Sequence, residues 1–186
     1  MSAHPRTRAD AVRNYERVIA AASEVLAEKG AEAGVPEIAA RAGVGKGTVY
    51  RCFPTKDHLV SAVLSERLRW FTEATREAAR QPDAWEAFVE LLCDTAERQV
   101  GDCTFSAGLS HESMLPEVVE AREAMNAAID ALMERAKAEG RMRQGVDSRD
   151  LKMLFAGVAQ MLRADGNRDP AVWRRYAGLV ADALRA

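Results

Sequence analysis

Apolar residues recur through most of the chain at intervals of three and four, the spacing that lines one face of an α-helix. The first such face holds Tyr15, Val18, Ile19, Ala22 and Leu26. Gly30 follows it, as a residue suited to the left-handed end of a helix. No segment has the alternation of a half-buried strand that would support a sheet. The pattern therefore predicts an all-α protein of about nine helices.

Glycine, proline and capping residues divide this pattern into separate helices. Gly34 and Gly43 bound a short second helix, and a short third helix ends before Phe53 and Pro54. Thr55 then caps a long fourth helix. The pattern places helices at about 35–42, 46–52, 56–80, from 84 onward, and at 116–139, 147–164 and 170–184, with one short helix and loops in 101–113.

The helix at 147–164 is apolar on two faces. One stripe consists of Leu151, Leu154, Phe155, Val158 and Leu162, and the other of Met153, Gly157 and Met161. The last helix is also rich in apolar residues, which are Val172, Trp173, Tyr176, Leu179, Val180 and Leu184. Because a helix that is apolar on two faces is buried on both, we expect these helices to form a two-fold interface between two copies of the chain.

Composition bounds the class of protein. The 186 residues are 48% hydrophobic and 29% charged, which allows a buried core in a soluble chain. No apolar run reaches the roughly 18–20 residues of a membrane helix, and the N-terminus lacks a signal-peptide pattern. The three cysteines form no CxxC pair and are odd in number, so they indicate buried thiols in a reducing compartment. We therefore expect a cytoplasmic protein.

Positive and negative charges are unevenly distributed along the chain. Residues 1–58 hold nine Lys and Arg against seven Asp and Glu, whereas the remainder holds 17 against 21. From Arg41 to Lys56 there are four basic residues and no acid. A short basic module on an acidic body indicates a local site for a polyanion.

The glycines of this basic stretch raise the alternative of a phosphate-binding loop. A P-loop requires Ser or Thr after its lysine, but Gly47 follows Lys46. The dinucleotide-binding fingerprint requires a third glycine where Thr48 stands, and neither motif has its preceding strand here. The phosphate-loop interpretation therefore fails.

A helix-turn-helix fits the same stretch, because small and apolar residues occur where two crossing helices need them. The matching positions are Ile38, Ala39, Ala42, Gly43, Val44, Val49 and Cys52. The outward face of the third helix is then basic, hydrogen-bonding and aromatic, as a helix in the major groove requires. It consists of Gly45, Lys46, Thr48, Tyr50 and Arg51.

The motifs EKG, EIAARAGVGKGTVYRCF and PTKDHL lie within residues 12–71, and there the chain resembles the TetR (tetracycline-repressor-like) family of transcriptional regulators. The resemblance implies a DNA-binding domain at 12–71 with its helix-turn-helix at 34–53, and a ligand-binding and dimerisation domain at 72–186. It also implies a homodimer on palindromic DNA that responds to a small molecule.

The resemblance assigns DNA contacts to particular residues of this chain. Lys46, Thr48, Tyr50 and Arg51 are expected to contact DNA, with Lys56 at a backbone phosphate. Gly34 departs from the family pattern, which usually has Ser or Thr at that position. A hydroxyl contact to phosphate is therefore not expected there, although glycine still serves as a helix cap.

Several candidate DNA contacts have alternatives. Lys46 and Arg51 could be ordinary solvated charges, but no acid lies near them in the sequence. Tyr50 could pack in the core beneath the fourth helix, but Val49 and Phe53 already take the inward side. The arginines of the N-terminal arm, Arg8 among them, are either a second DNA contact or part of a disordered tail.

A ligand pocket is expected in the body of the protein, because a long fourth helix leads there from the basic module. Its inward residues and the aromatic residues that follow would make the site mostly apolar. The candidates are Arg67, Trp70, Phe71, Trp85, Phe88, Leu92, Phe105, His111, Met125 and Phe155. Such a lining favours an apolar effector, and the alternative is a solid core without a ligand.

No metal or cofactor is predicted. Cys93, Cys103 and His111 are widely spaced and lack a fourth ligand. A helical enzyme is the alternative class, but no GxSxG, HExxH or paired-carboxylate motif occurs. A helical small-molecule-binding protein without a DNA-binding role is a further alternative. The sequence favours a ligand-responsive repressor, bound to the nucleoid through its DNA site.

Overall fold

A computed structural model describes residues 8–102 and 115–186 of the chain, with the side chain of Arg8 excepted. Within these ranges the regular structure consists of eight α-helices and one 3-10 turn, and the only extended pairing is the single bridge between Met142 and Arg185. The predicted all-α class is confirmed. The short helix expected in 101–113 falls almost wholly outside the described residues, as do the candidates Phe105 and His111.

The helices begin and end close to where the pattern places them. They are α1 (Arg8–Lys29), α2 (Val35–Ala42), α3 (Lys46–Cys52), α4 (Lys56–Ala78), α5 (Ala84–Arg98), α6 (Pro116–Ala138), α7 (Ser148–Ala164) and α8 (Pro170–Leu184), with the 3-10 turn at Gly30–Glu32 after α1.

Local chemistry explains these boundaries. The carboxylates of Asp83, Asp147 and Asp169 accept hydrogen bonds from backbone N–H groups in the first turns of α5, α7 and α8. The hydroxyl of Thr55 accepts one from the backbone N–H of His58, as expected of a cap on α4. Such caps satisfy N–H groups that have no partner within the helix.

The described residues form two compact units: the first consists of residues 8–66, 102 and 115–119, and the second of Arg67–Gly101 and Glu120–Ala186. In the first unit, α1, α2, α3 and the start of α4 enclose one hydrophobic core. Its largest fully buried side chains include Val18, Leu26, Ile38 and Leu59. The same core includes Val49 of α3, so α3 packs against the other helices of this unit.

The second unit is a bundle of α5, α7, α8, the second part of α4, and α6 from Glu120 onward. Its core contains the fully buried Phe88, Leu132, Met133 and Trp173. On its surface, the Arg174 guanidinium of α8 hydrogen-bonds to three carboxylates of α5, at distances of 2.9–3.3 Å; these belong to Glu90, Asp94 and Glu97. Apolar packing and this ion cluster together hold α8 against α5.

The outer face of this bundle carries apolar side chains that its own core does not cover. Met153 is 74% exposed and Met161 62% exposed on α7, and Leu179 of α8 is exposed as well. Leu151 and Leu162 are buried as the first stripe of α7 predicts, but Leu154 is exposed. Leu154 therefore belongs with the outer stripe, because it lies three positions before Gly157 and seven before Met161, a spacing that shares one face of a helix.

No helix within the described residues has the length and apolar character that a membrane crossing requires.

Substitutions of two glycines, one in the turn between α2 and α3 and one within α3, should have opposite effects on stability. Gly43 has a φ of 62°, which an L side chain adopts at a cost of about 1–2 kcal/mol. Gly47 lies in α3 with right-handed geometry and open space around its Cα, so an added Cβ there relieves the entropic cost of glycine. Gly43→Ala should speed amide hydrogen exchange in α1 about tenfold, and Gly47→Ala should slow it about twofold. If both substitutions changed the exchange rate in α1 in the same direction, this account of the turn would be contradicted.

Candidate nucleic-acid interface and ligand cavity

The link between α2 and α3 is a closed turn made almost wholly of backbone. Gly43 in the left-handed conformation donates its N–H to the carbonyl of Ala40, at 3.1 Å, and Val44 donates to Ala39, at 3.0 Å. These bonds satisfy carbonyls at the end of α2 that have no partner within the helix. Gly45 then caps α3 in extended conformation.

The helix α3, which carries most of the residues expected to contact DNA, is attached to the first unit by few side chains. Val49 is 1% exposed and is the only fully buried residue within the helix, and Phe53 is buried just after it. Cys52 is half-buried against the same core. A helix of seven residues that buries so little leaves most of its surface open to a partner.

The predicted DNA-contacting residues lie on that open surface. Lys46, Arg51 and Tyr50 are exposed, with Tyr50 at 50%, and Thr48 is half-buried. Added Cβ atoms at Gly45 and Gly47 would meet no atom within 4 Å, so the start of α3 is open to close approach. The alternative that places Tyr50 in the core is wrong, because Val49 and Phe53 fill the inward side.

Lys46 and Arg51 make no salt bridge with any described residue. Lys56 is different, because it is half-buried and its Nζ donates a hydrogen bond to the carbonyl of Ala31, at 2.7 Å. It therefore ties the start of α4 to the 3-10 turn. An ammonium group has three donors, so this bond leaves others available to a phosphate.

Arg41 does not add to the basic face, although its position suggests that it would. Its guanidinium hydrogen-bonds to Glu28 with both terminal nitrogens, at 3.0 Å each, and to Glu24 at 3.2 Å. The Arg41 hydrogen bond holds the pKa of Glu28 below its usual range, and the Glu28 and Glu24 carboxylates raise the pKa of Arg41. The acids that neutralise Arg41 lie on α1, so the local sequence of 41–56 does not reveal them.

Two residues of α1 contact the residues on either side of α3, and no local sequence pattern indicates either role. Arg17 donates from Nη2 to the carbonyls of Ala42, at 2.6 Å, and Gly43, at 3.1 Å. The Tyr15 ring lies 5.1 Å from the Phe53 ring, measured between centroids. Helical periodicity places Tyr15 on the inner face of α1, but its ring covers the end of α3 at the surface instead.

Arg8 is the first residue of α1, and its side chain lies outside the described part of the structure. Its proposed contact with DNA stays a prediction.

The second unit contains a small apolar cavity, in which the centre of a water-sized sphere could occupy about 20 Å³. Three of the candidate pocket residues line it: Phe71, Phe88 and Leu92. The remaining wall comes from Leu91, Ile129, Leu132 and Leu151. This space holds about one water molecule, whereas binding sites for small molecules commonly span about 300–1,000 Å³.

The other candidate pocket residues lie elsewhere. Trp70 is 48% exposed, beneath the guanidinium of Arg98 at 4.6 Å from the ring centroid, because the neighbouring Phe71 takes the inward direction on α4. Trp85 is buried but packs on Phe88 away from the cavity wall. Half-buried candidates that do not line the cavity are Arg67, Met125 and Phe155.

Cys93 is buried on α5, and burial raises the pKa of its thiol. Its Sγ donates a weak hydrogen bond to the carbonyl of Arg174. In the part of the chain that the structure describes, no three His, Cys, Asp or Glu side chains are grouped closely enough to hold a metal ion. Cys103 and His111 lie outside that part.

Solved structures and curated proteins share this architecture. A TetR transcription regulatory protein from Mycobacterium vanbaalenii is 30% identical, with a TM-score of 0.63 over 96% of this chain and 99% of that one. The regulator SrpR of Pseudomonas putida is 27% identical over 174 residues, which cover 88% of this chain and 79% of SrpR. FadR of Bacillus subtilis, solved with stearoyl-CoA, has the same fold at 21% identity, with a TM-score of 0.71 over 91% of this chain and 99% of FadR.

Two family models match the two parts of the chain. The model described as bacterial regulatory proteins of the tetR family matches residues 18–63, which include α2, α3 and the turn between them. The model described as the C-terminal domain of SbtR-like transcriptional regulators matches residues 81–186, more than half of the chain. The chain belongs to the TetR family of bacterial transcriptional regulators.

Proposed function

We propose that this DNA-binding, ligand-responsive regulator is a repressor, which leaves a palindromic operator when an apolar small molecule binds its second unit. The observation that carries the DNA part is the outward face of α3, where two cations without ion-pair partners among the described residues flank an exposed tyrosine. Relatives such as SrpR are transcriptional regulators, which supports regulation over catalysis as the role of this chain.

In this proposal α3 enters the major groove. Arg51 and Tyr50 reach base edges from the exposed side of the helix, and Thr48 supports them with a hydroxyl. Lys46, at the first turn, and Lys56, at the start of α4, contact backbone phosphates. Gly45 and Gly47 let the start of α3 approach the backbone, where its N–H groups favour an anion. Arg8 would add a contact from the start of α1.

The two kinds of contact predict different effects on binding. Arg51→Ala and Tyr50→Ala should each weaken operator binding by about 1–3 kcal/mol and relax sequence preference. Lys46→Ala should weaken operator and non-operator DNA alike, and lower the slope of log affinity against log salt by about one. Fluorescence anisotropy with operator and scrambled duplexes at several salt concentrations measures both effects.

The matched control is Arg76→Ala, which removes one exposed cation of α4 that pairs with Glu73 and lies in the second unit. It should bind like the wild type. Wild-type affinity in the Arg51, Tyr50 and Lys46 variants together would contradict the assignment of α3 to the groove.

Homodimerisation through α7 and α8 follows from the uncovered apolar face of the second unit. The side chains of Met153, Met161 and Leu179 are exposed, and exposed apolar faces commonly mark interfaces between proteins. Nothing surrounds Gly157 within 4 Å, so a partner helix could approach closely there. A two-fold dimer has two α3 helices, and we propose that they occupy two half-sites of a palindromic operator about one turn of DNA apart, roughly 34–36 Å.

Charge on this face should separate the two copies. Met161→Glu places a carboxylate at the proposed interface, where burial without a partner is costly, so sedimentation should change from dimer to monomer at micromolar concentration. Glu123→Gln, an exposed change on α6, serves as the control and should leave the dimer intact. A monomeric wild-type protein at the same concentration would remove both the dimer and the palindrome.

The effector is proposed from the lining of the cavity, which is aliphatic and aromatic throughout. FadR holds stearoyl-CoA in its solved structure, but at this level of identity the comparison supports only the fold. A ligand of ordinary size cannot enter the present space, so binding requires the walls to move apart. We propose that this movement shifts the population toward a conformation that binds DNA weakly, through α4, which contributes residues to both units.

Straight-chain fatty alcohols of increasing length are suitable probes for such a site. They should raise the melting temperature of the wild type and release the operator over the same concentration range. Leu92→Ala enlarges the cavity, so it should lower the melting temperature and increase the response to short alcohols. Val12→Ala removes apolar atoms from an exposed position of α1 in the first unit, and should change neither the melting temperature nor the response to alcohols.

Stabilisation by an alcohol without operator release would contradict the coupling. Absence of any response in both the wild type and Leu92→Ala would contradict the binding site itself.

A further inference from the structure

The guanidinium of Arg17 lies against the turn between α2 and α3, in a place where it can control the direction of α3. We infer that Arg17 is a positioning residue for DNA recognition: it fixes the start of the recognition helix without contacting DNA, while Tyr15 braces the other end. This inference rests on the proposed role of α3 in the major groove.

Contacts at the turn are short and directed at backbone atoms. One guanidinium nitrogen of Arg17, Nη2, donates to the carbonyls of Ala42 and Gly43, at 2.6 and 3.1 Å. A Cβ built at Gly43 would lie only 2.7 Å from this nitrogen, so the guanidinium rests directly on the glycine Cα. The carbonyl end of a helix carries partial negative charge, and a cation there is stabilising.

These bonds complete the capping of α2. Gly43 and Val44 donate to the carbonyls of Ala40 and Ala39 through the backbone, and Arg17 donates to the carbonyls of Ala42 and Gly43. The three residues that follow Ala42 are those that set the angle between the two helices. The N–H groups of Gly43 and Val44 are held by α2, and the carbonyl of Gly43 is held by Arg17 of α1.

The recognition helix depends on such external support, because it has little of its own. Within α3 only Val49 is fully buried, and Gly45 and Gly47 make its start pliable. At its other end, Phe53 packs beneath the Tyr15 ring at a centroid distance of 5.1 Å. Tyr15 and Arg17 are two residues apart on α1. The same helix therefore contacts both the turn before α3 and Phe53 after it.

Arg41 provides the comparison that separates this role from a general effect of charge. Arg17 and Arg41 line the same shallow groove of the first unit, together with Glu24 and the small side chains of Ala20 and Ala21. Arg41 hydrogen-bonds to the carboxylates of Glu24 and Glu28, whereas Arg17 bonds to the backbone of the turn. Removal of either arginine changes net charge equally.

The experiment compares Arg17→Ala, Arg17→Lys and Arg41→Ala, in the full-length protein, by anisotropy with operator and scrambled duplexes. Loss of hydrogen bonds from a charged donor should weaken operator binding by Arg17→Ala about tenfold. Binding to the scrambled duplex and the salt slope should stay as in the wild type, because no phosphate contact is lost. Arg17→Lys should recover part of the affinity, and Arg41→Ala should bind as the wild type does.

Other results would overturn the inference. Equal weakening on both duplexes, with a salt slope lower by about one, would make Arg17 a phosphate contact. If Arg17→Ala lowered the melting temperature but left operator affinity unchanged at 10 °C, Arg17 would contribute to stability and not to DNA recognition. Wild-type behaviour of Arg17→Ala in every assay would remove its role altogether.

A second readout remains useful if Arg17→Ala is unstable. In the DNA-free protein, Arg17→Lys should move the backbone amide NMR signals of Gly45, Lys46 and Thr48, which are far from position 17 in sequence, while Arg41→Ala should not. The reverse pattern would contradict positioning through the turn. If the DNA role of α3 itself were wrong, the Arg51 and Lys46 variants would bind normally, whereas these amide shifts would still occur.

Discussion

A recognition helix has to leave most of its surface uncovered, so it cannot anchor itself. In this protein the constraint is severe, because α3 has seven residues and buries Val49 alone. Its place is therefore determined by what precedes and follows it: a turn closed by the left-handed Gly43, and Phe53 packed into the core of the first unit. The contacts of α1 with the turn and with Phe53, and the cap on α4 that comes next, all maintain the position of those two ends.

The helices and the exposed face of α3 were predictable from local sequence, for physical reasons that act over a few residues. Periodicity of three and four selects the inner faces, and glycine at the end of α2 signals its stop. The same count puts Lys46, Tyr50 and Arg51 outside because Val49 has to be inside. The limits of these rules appear at Tyr15, which the period places in the core but which covers the surface end of α3.

What local sequence could not predict involves residues that meet only after folding. Arg41 belongs to an acid-free stretch, yet α1 brings Glu24 and Glu28 to it. Lys56 has no signal for its bond to the carbonyl of Ala31, 25 positions earlier. Trp70 and Phe71 are adjacent aromatic residues, and only the direction of α4 decides that Phe71 lines the cavity. The lining of a cavity depends on such directions at several helices at once, which a linear pattern does not contain.

The small volume enclosed by Phe71, Phe88 and Leu92 has a kinetic consequence. The effector proposed above would find no vacancy in this space, so its entry would have to wait for a spontaneous opening of the helices. The observed association rate should then stop rising with ligand concentration and level off at the opening rate. Mutations far from the cavity that loosen the bundle would accelerate the response to an effector without altering a single contact with it. The time in which the protein responds to the proposed effector would then be set by the rate at which its helices open.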